Sequence, residues 1–231
     1  MPKRDTMIDG GAEAHICGAV RAAILARKLA PGTRLPETEV GRHFGVSRTI
    51  VRQALRTLAH EGIVALRDRR VAVIARPSPG DVAHTFAARK AIESAVVLHV
   101  VEAATRSEFL ALRRLVREEE AAYKRGDRAG GLARSLEFHR RLGRLCRNPV
   151  LERYLNELVL VTSLAVALHE DPDAPRAHAD HVALVDAIAR RDGKRASRLM
   201  ADHLGKLEAD LRATKPRSAR SLDEIFAATR R

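Results

Sequence analysis

Apolar residues along the chain keep helical spacing almost throughout, broken by one short β-rich stretch. A first helix is expected over residues 13–28, with Ile16, Val20, Ala23 and Ile24 on one stripe that stops at Arg27. Pro31-Gly32 forces a turn, and a short second helix follows over residues 36–44. Gly45-Val46 turns tightly into Ser47, a good N-cap for a third helix over 48–61 that Gly62 closes as a left-handed cap. Ile63-Val64-Ala65-Leu66 and Val71-Ala72-Val73-Ile74 then flank polar residues 67–70 and read as a hairpin. Residues 76–81 hold two Pro and a Gly, the clearest linker in the chain. Beyond them the spacing predicts six helices, over residues 84–105, 107–125, 128–147, 149–170, 176–191 and 194–213, then a basic tail with one helical turn at 222–228.

Composition narrows this picture. At 231 residues there is room for one large domain or two ordinary ones. Aromatics make up only 3% and Trp is absent, so the core must be Ala, Leu and Val, which suits helix-on-helix packing. The net charge is +13, and the first 76 residues carry 14 Lys/Arg against 7 Asp/Glu. That density points to a polyanion, nucleic acid before an anionic membrane. Cys17 and Cys146 form no metal-type pair and read as small core residues in a reducing cytosol. No apolar run reaches transmembrane length and the N-terminus lacks the apolar stretch of a signal peptide, so a cytoplasmic, nucleoid-associated protein without a membrane partner is expected.

The third helix carries the strongest chemistry. Ile50, Val51, Ala54, Leu55, Leu58 and Ala59 cover one half of its circumference; Arg48, Thr49, Arg52, Gln53, Arg56 and Thr57 cover the other. Arg48, Arg52 and Arg56 recur every fourth residue and form a ridge. An apolar back with an Arg, Gln and Thr front suits a major groove, where Arg pairs with guanine and Gln with adenine. The same face could also be an ordinary solvated one. Helix, short helix, turn, Arg-faced helix and hairpin come in winged-helix order. The stretch LAPGTRLPETEVGRHFGVSRTIVRQALRTLAHEGIV moreover resembles the signature of the GntR superfamily of transcription regulators. The resemblance implies that Arg48, Thr49 and Arg52 contact an operator, that Ser47 caps and holds the helix, and that Arg34 reaches a phosphate. Two positions depart from it. Ile50 stands where the family has Pro, and the wing tip offers Arg69 and Arg70 in place of a Gly, so wing contacts do not transfer.

The second half resembles the helical domain of the FadR-like (FCD) branch of that superfamily, through AARKAIES, LEFHRRLGRLCRNPVL, DHVALVDAIARRDGKRA and MADHL, in order. This implies an antiparallel helical bundle around a small-molecule cavity, often with a metal. His139, His181 and His203 fall on the family's three His ligand positions, a donor set suited to Zn²⁺ or Ni²⁺. The family's fourth ligand, an Asp one turn earlier, is Ser135 here. Without that carboxylate the three His could instead pack as core residues or bind the effector directly. His178 lies one turn from His181 and offers a substitute ligand, though its position favours solvent. Arg89 and Glu93 sit one turn apart on an apolar face with Val96 and Val100. The resemblance makes Arg89 a bidentate grip for an effector carboxylate, with Glu93 and Ser135 beside it; the simpler reading is an Arg89–Glu93 intrahelical pair.

The expected protein is mainly α: a tail over residues 1–11, a winged helix-turn-helix over 12–76, a linker over 77–83, an antiparallel helical effector domain over 84–214 and a basic tail over 215–231. Its function is that of a homodimeric, ligand-responsive transcription regulator, a repressor by resemblance, binding double-stranded DNA at a pseudo-palindrome and taking a small organic acid. An architectural DNA-binding protein without effector is the first alternative. A metal-dependent hydrolase is the second, and the lack of a placed general base disfavours it, so no enzyme is expected.

Overall fold

The computed structural model describes residues 5–67, 71–76, 78–169 and 178–213, which fall into two compact units, 5–76 and 78–213. Arg69, Arg70, the turn expected at 171–175 and the tail over 215–231 lie outside the described residues.

The first unit contains α1 (Asp5–Leu25), β1 (Arg34–Leu35), α2 (Glu37–Phe44), α3 (Arg48–His60), β2 (Val64–Arg67) and β3 (Val71–Ile74). The apolar stripe of α1 delivers Ile16, Val20 and Ile24 to a core shared with Val51, Leu55 and Leu58 of α3, all buried. Polar bonds pin the same two helices. Arg21 pairs with Glu61, and the Thr57 hydroxyl donates to Glu13 at 2.6 Å. Gly45 ends α2 at φ 67°, a left-handed conformation that favours glycine, and Ser47 accepts the Ile50 amide at 3.4 Å to start α3. The hairpin pairs Leu66 with Ala72, and β1 adds a third antiparallel strand, in the order β1-β3-β2. Residues 5–11 lie within α1 where an irregular tail was expected. That helix also stops three residues early, because Arg27 adopts a left-handed φ of 58°.

The second unit is built from α4 (Pro79–Ala103), α5 (Arg106–Lys124), α6 (Arg128–Leu145), α7 (Pro149–His169), α8 (His178–Ala189) and α9 (Gly193–Ala213). Consecutive helices pack together at α5–α6, α6–α7 and α8–α9, as in bundles generally. Helix α4 packs on α6, α7, α8 and α9, while α5 packs on α6 and α8. The apolar part of the interior is aliphatic apart from Phe86 and Phe138, as the scarcity of aromatics predicts. Helix α4 begins five residues before the expected start. Ser78 accepts the Asp81 amide at 3.1 Å and Asp81 accepts the Ser78 amide at 3.0 Å, a capping box with Pro79 at the first helical position. The Pro and Gly that read as a linker therefore open a helix. At the other end, Arg191 donates to the Ala104 carbonyl at 2.7 Å and to that of Val101, capping α4 from the α8–α9 turn.

Leu58 has no solvent exposure and joins the back of α3 to α1. Leu58→Ala is expected to destabilise the first unit by about 2–5 kcal/mol through lost burial and the cavity left behind. Urea unfolding followed by far-UV circular dichroism measures it.

Candidate functional site

The face of α3 opposite its buried back presents Arg48, Thr49, Gln53 and Arg56 as exposed side chains and Arg52 as half-buried. Ser47 is exposed at the start of the helix, and Arg34 is exposed on β1. Ile50, where the resemblance expects Pro, is buried and donates the amide that Ser47 caps; a Pro has no such N–H. Arg48 and Arg56 make no ion pair among the described residues. Arg52 differs: its Nε and Nη2 donate to the two Glu37 oxygens at 3.2 and 3.0 Å. That hydrogen bond raises the Arg52 pKa further, so its charge is permanent. Glu37 gave no signal in the sequence, because an acidic first-turn residue of α2 reads as a helix-dipole partner.

The six helices of the second unit each send a polar side chain into one interior. Arg89 and Glu93 come from α4, Glu119 from α5, His139 from α6, Thr162 from α7, His181 from α8 and His203 from α9, all at most 2% exposed. One Glu93 oxygen accepts from Arg89 Nε; the other faces His139 Nδ1 at 2.5 Å. Arg89 Nη1 donates to the Thr162 hydroxyl at 2.7 Å, while its Nη2 is buried with no partner among the described residues. Glu119 meets His181 Nδ1 at 2.8 Å, and an Asp180 oxygen lies 3.5 Å from His203 Nδ1. Phe138 packs against the His181 ring, with centroids 4.3 Å apart.

Each of the three imidazoles thus has a carboxylate on its Nδ1 side, and one ligand nitrogen from each lies within 4.8 Å of the others. A carboxylate accepts, so His139 and His181 hold their protons on Nδ1 and turn a bare Nε2 lone pair inward. His139 Nε2 is buried without a partner, and the Nε2 atoms of His181 and His203 stand 3.2 Å apart. If His203 also protonates Nδ1, two lone pairs face each other; if it protonates Nε2, its Nδ1 lone pair faces Asp180. Either tautomer leaves one repulsive contact that a shared cation removes. Protonation is a poor remedy. Burial, with the neighbouring His181 ring, holds the His203 pKa down at about 3, and burial outweighs the pull of Glu93 to hold His139 at about 4. Burial would raise the Glu93 pKa, but Arg89 and His139 together hold it well below the usual carboxylate range. The residues present fit a divalent metal.

Ser135 is half-buried on α6, one turn before His139, a hydroxyl where the resemblance expects a carboxylate. The side chain of His178, at the start of α8, lies outside the described residues. Glu93 was singled out in the sequence as an effector group, and the structure brings it against both Arg89 and His139. Glu119 and Asp180 were missed. Glu119 sits in the run Glu118-Glu119-Glu120, which reads as a solvated face, although it is three residues past Val116 on the buried stripe. Asp180 immediately precedes His181.

A winged-helix unit joined to a helical unit with a buried polar interior defines a DNA-binding transcription regulator as the class of protein. Sequence comparison agrees. The family model described as "Bacterial regulatory proteins, gntR family" matches residues 12–74, and the FCD domain model matches residues 84–206. An uncharacterized HTH-type transcriptional regulator of Agrobacterium vitis is 30% identical over 141 residues, 60% of this chain and 82% of that protein. The HTH-type transcriptional repressor NanR of Cronobacter sakazakii is 29% identical over 194 residues, 73% of each chain. Among solved structures, Escherichia coli McbR/YncC has the same fold, with a TM-score of 0.77 at 17% identity over 87% of this chain and 97% of that one. A GntR regulator from Rhodococcus sp. RHA1 also reaches 0.77, at 21% identity over 87% of this chain and 97% of that one. The chain belongs to the gntR family of bacterial regulatory proteins, with an FCD domain as its helical half. It is a DNA-binding transcription regulator and not an enzyme. Among the described residues, no helix is long and apolar enough to cross a membrane.

The histidine pKa values set a pH dependence for the chelated protein. Between about pH 6.5 and 4 the unfolded chain protonates His139 and His203 while the folded state keeps them neutral, so stability falls as pH falls. Glu93, depressed in the folded state, adds a loss of the same sign below about pH 4.5. Thermal unfolding in chelator is expected to show a decline on the order of a few kcal/mol from pH 7 to 4. A flat profile would contradict the neutral, buried imidazoles.

Proposed function

We propose that this regulator is a repressor whose hold on a pseudo-palindromic operator is controlled by a small organic acid bound in the helical half. Residues 12–76 read DNA as one half of a homodimer, and residues 84–214 sense the effector. Arg48, Thr49, Arg52, Gln53 and Arg56 face the major groove, with Arg34 on a phosphate. His139, His181 and His203 hold a divalent metal, Zn²⁺ or Ni²⁺, through the nitrogens turned away from their carboxylates. When bound, the metal supplies a Lewis-acid position for one oxygen of the effector carboxylate. Arg89 supplies hydrogen bonds to the same anion. The observation that carries this reading is the pairing of two unmet needs in one interior: the His139 Nε2 lone pair, unpartnered among three clustered imidazoles, and a guanidinium nitrogen without an acceptor.

Purified protein is expected to carry stoichiometric Zn²⁺ or Ni²⁺ by elemental analysis, and chelation should lower its Tm. His181→Ala should abolish the metal and the response to organic acids while leaving effector-free DNA affinity nearly unchanged. Protein that carries no metal and gains no stability from added Zn²⁺ or Ni²⁺ would reassign the three His as direct partners of the effector.

Arg52→Ala is expected to weaken binding to a selected duplex by about 1–3 kcal/mol at fixed salt, with the fold intact. Gel-shift titration and circular dichroism check the two halves of that statement.

A further inference from the structure

The three arginines of the α3 ridge are not equivalent. Arg48 and Arg56 are exposed and unpaired among the described residues, whereas Arg52 is clamped by Glu37 through both carboxylate oxygens. The clamp uses one particular edge of the guanidinium, the side formed by Nε and Nη2. The other edge, formed by Nη1 and the second hydrogen of Nη2, faces away from Glu37 and is the end-on pair of donors that matches guanine O6 and N7. Glu37 is itself held at the first turn of α2, and its side chain is only 17% exposed against 42% for Arg52. The acid is the anchored partner and the arginine the presented one.

A carboxylate on a DNA-reading face needs an explanation. It repels phosphate, so for binding to DNA of any sequence it is a liability. It becomes an asset where one arginine must be aimed at a base and kept off the backbone. A guanidinium whose side edge is occupied and whose rotamer is already fixed loses less freedom on docking, and it cannot swing to a phosphate without breaking two hydrogen bonds. From this geometry we infer that Glu37 is a specificity-determining positioning residue: it holds Arg52 end-on toward a guanine, leaving the looser Arg48 and Arg56 to the remaining contacts. The inference rests on α3 being the helix that enters the groove.

The test uses full-length protein, the tightest duplex that the wild-type chain selects from a random pool, and a scrambled duplex of equal length. Glu37→Gln keeps the size of the side chain and removes its charge. It is expected to weaken binding to the selected duplex about tenfold, to leave scrambled-duplex binding unchanged or tighter, and to relax preference at one G·C position only. In an Arg52→Ala background the same substitution should no longer weaken the selected duplex, since there is nothing left to aim. Tighter binding to both duplexes would make Glu37 a mere repulsive charge and overturn the proposal. Equal weakening in both backgrounds would do so too, by making its role structural, as a lowered Tm of Glu37→Gln would also report. Arg52→Ala without effect on the selected duplex would instead overturn the assignment of Arg52 to the reading face, and the positioning role with it.

Discussion

Within the helical half, a carboxylate with no solvent exposure lies between a guanidinium on one oxygen and an imidazole on the other. Burying Glu93 alone would be prohibitive, and Arg89, equally buried, offsets that cost with a facing charge and a hydrogen bond. The second oxygen then has work left over, and it holds the His139 proton on Nδ1. Arg89 in turn reaches Thr162, so α4, α6 and α7 are joined through one charge network. Such a network specifies a single arrangement of helices more sharply than aliphatic packing does, because any slip strands a charge. It also ties the two halves of the proposed sensor together, since the acid that orients a candidate metal ligand is the acid that holds the candidate effector grip.

The same logic repeats twice around the cluster, with Glu119 behind His181 and Asp180 beside His203. Two carboxylates hold two imidazole orientations, Asp180 comes within 3.5 Å of the third, and burial keeps His139 and His203 neutral at physiological pH. Neutral imidazole is the form that binds metal, so the fold supplies the ligand state as well as the ligand positions. Ser135 brings a neutral hydroxyl where the resemblance expects a carboxylate, which leaves the three histidines as the only strong donors of the expected set.

The DNA-reading half works differently. Its interior is almost wholly apolar, and its polar chemistry is on the outside, on a helix whose back is locked to α1. The rigid back gives the exposed ridge a fixed position, which suits the reading role proposed for it. Within that ridge one side chain is braced and two are loose, a division of labour that suits one base contact among several backbone contacts.

How much of this was legible depends on the range of the forces involved. Helix α3 could be read almost to the residue, because Ser47, Gly62 and an apolar half-turn pattern act within a few positions of one another. The start of α4 could not, because Pro79 and Gly80 weigh toward a linker until the reciprocal Ser78–Asp81 bonds are seen. Strand β1 is two residues long and exists only through its pairing with β3. The three histidines were marked by their resemblance to a family pattern, and the buried Arg89–Glu93 pair by its apolar face. What α5 contributes was hidden, since Glu119 has the same charge as its exposed neighbours and only its packing against α6 and α8 turns it inward. Local hydrogen bonding and amphipathic period, which a linear chain carries within itself, determined the elements and the arginine face of α3. The partners of each imidazole, and the bracing of Arg52 by Glu37, were decided only in the tertiary structure, because contacts between helices distant in sequence leave no period to read.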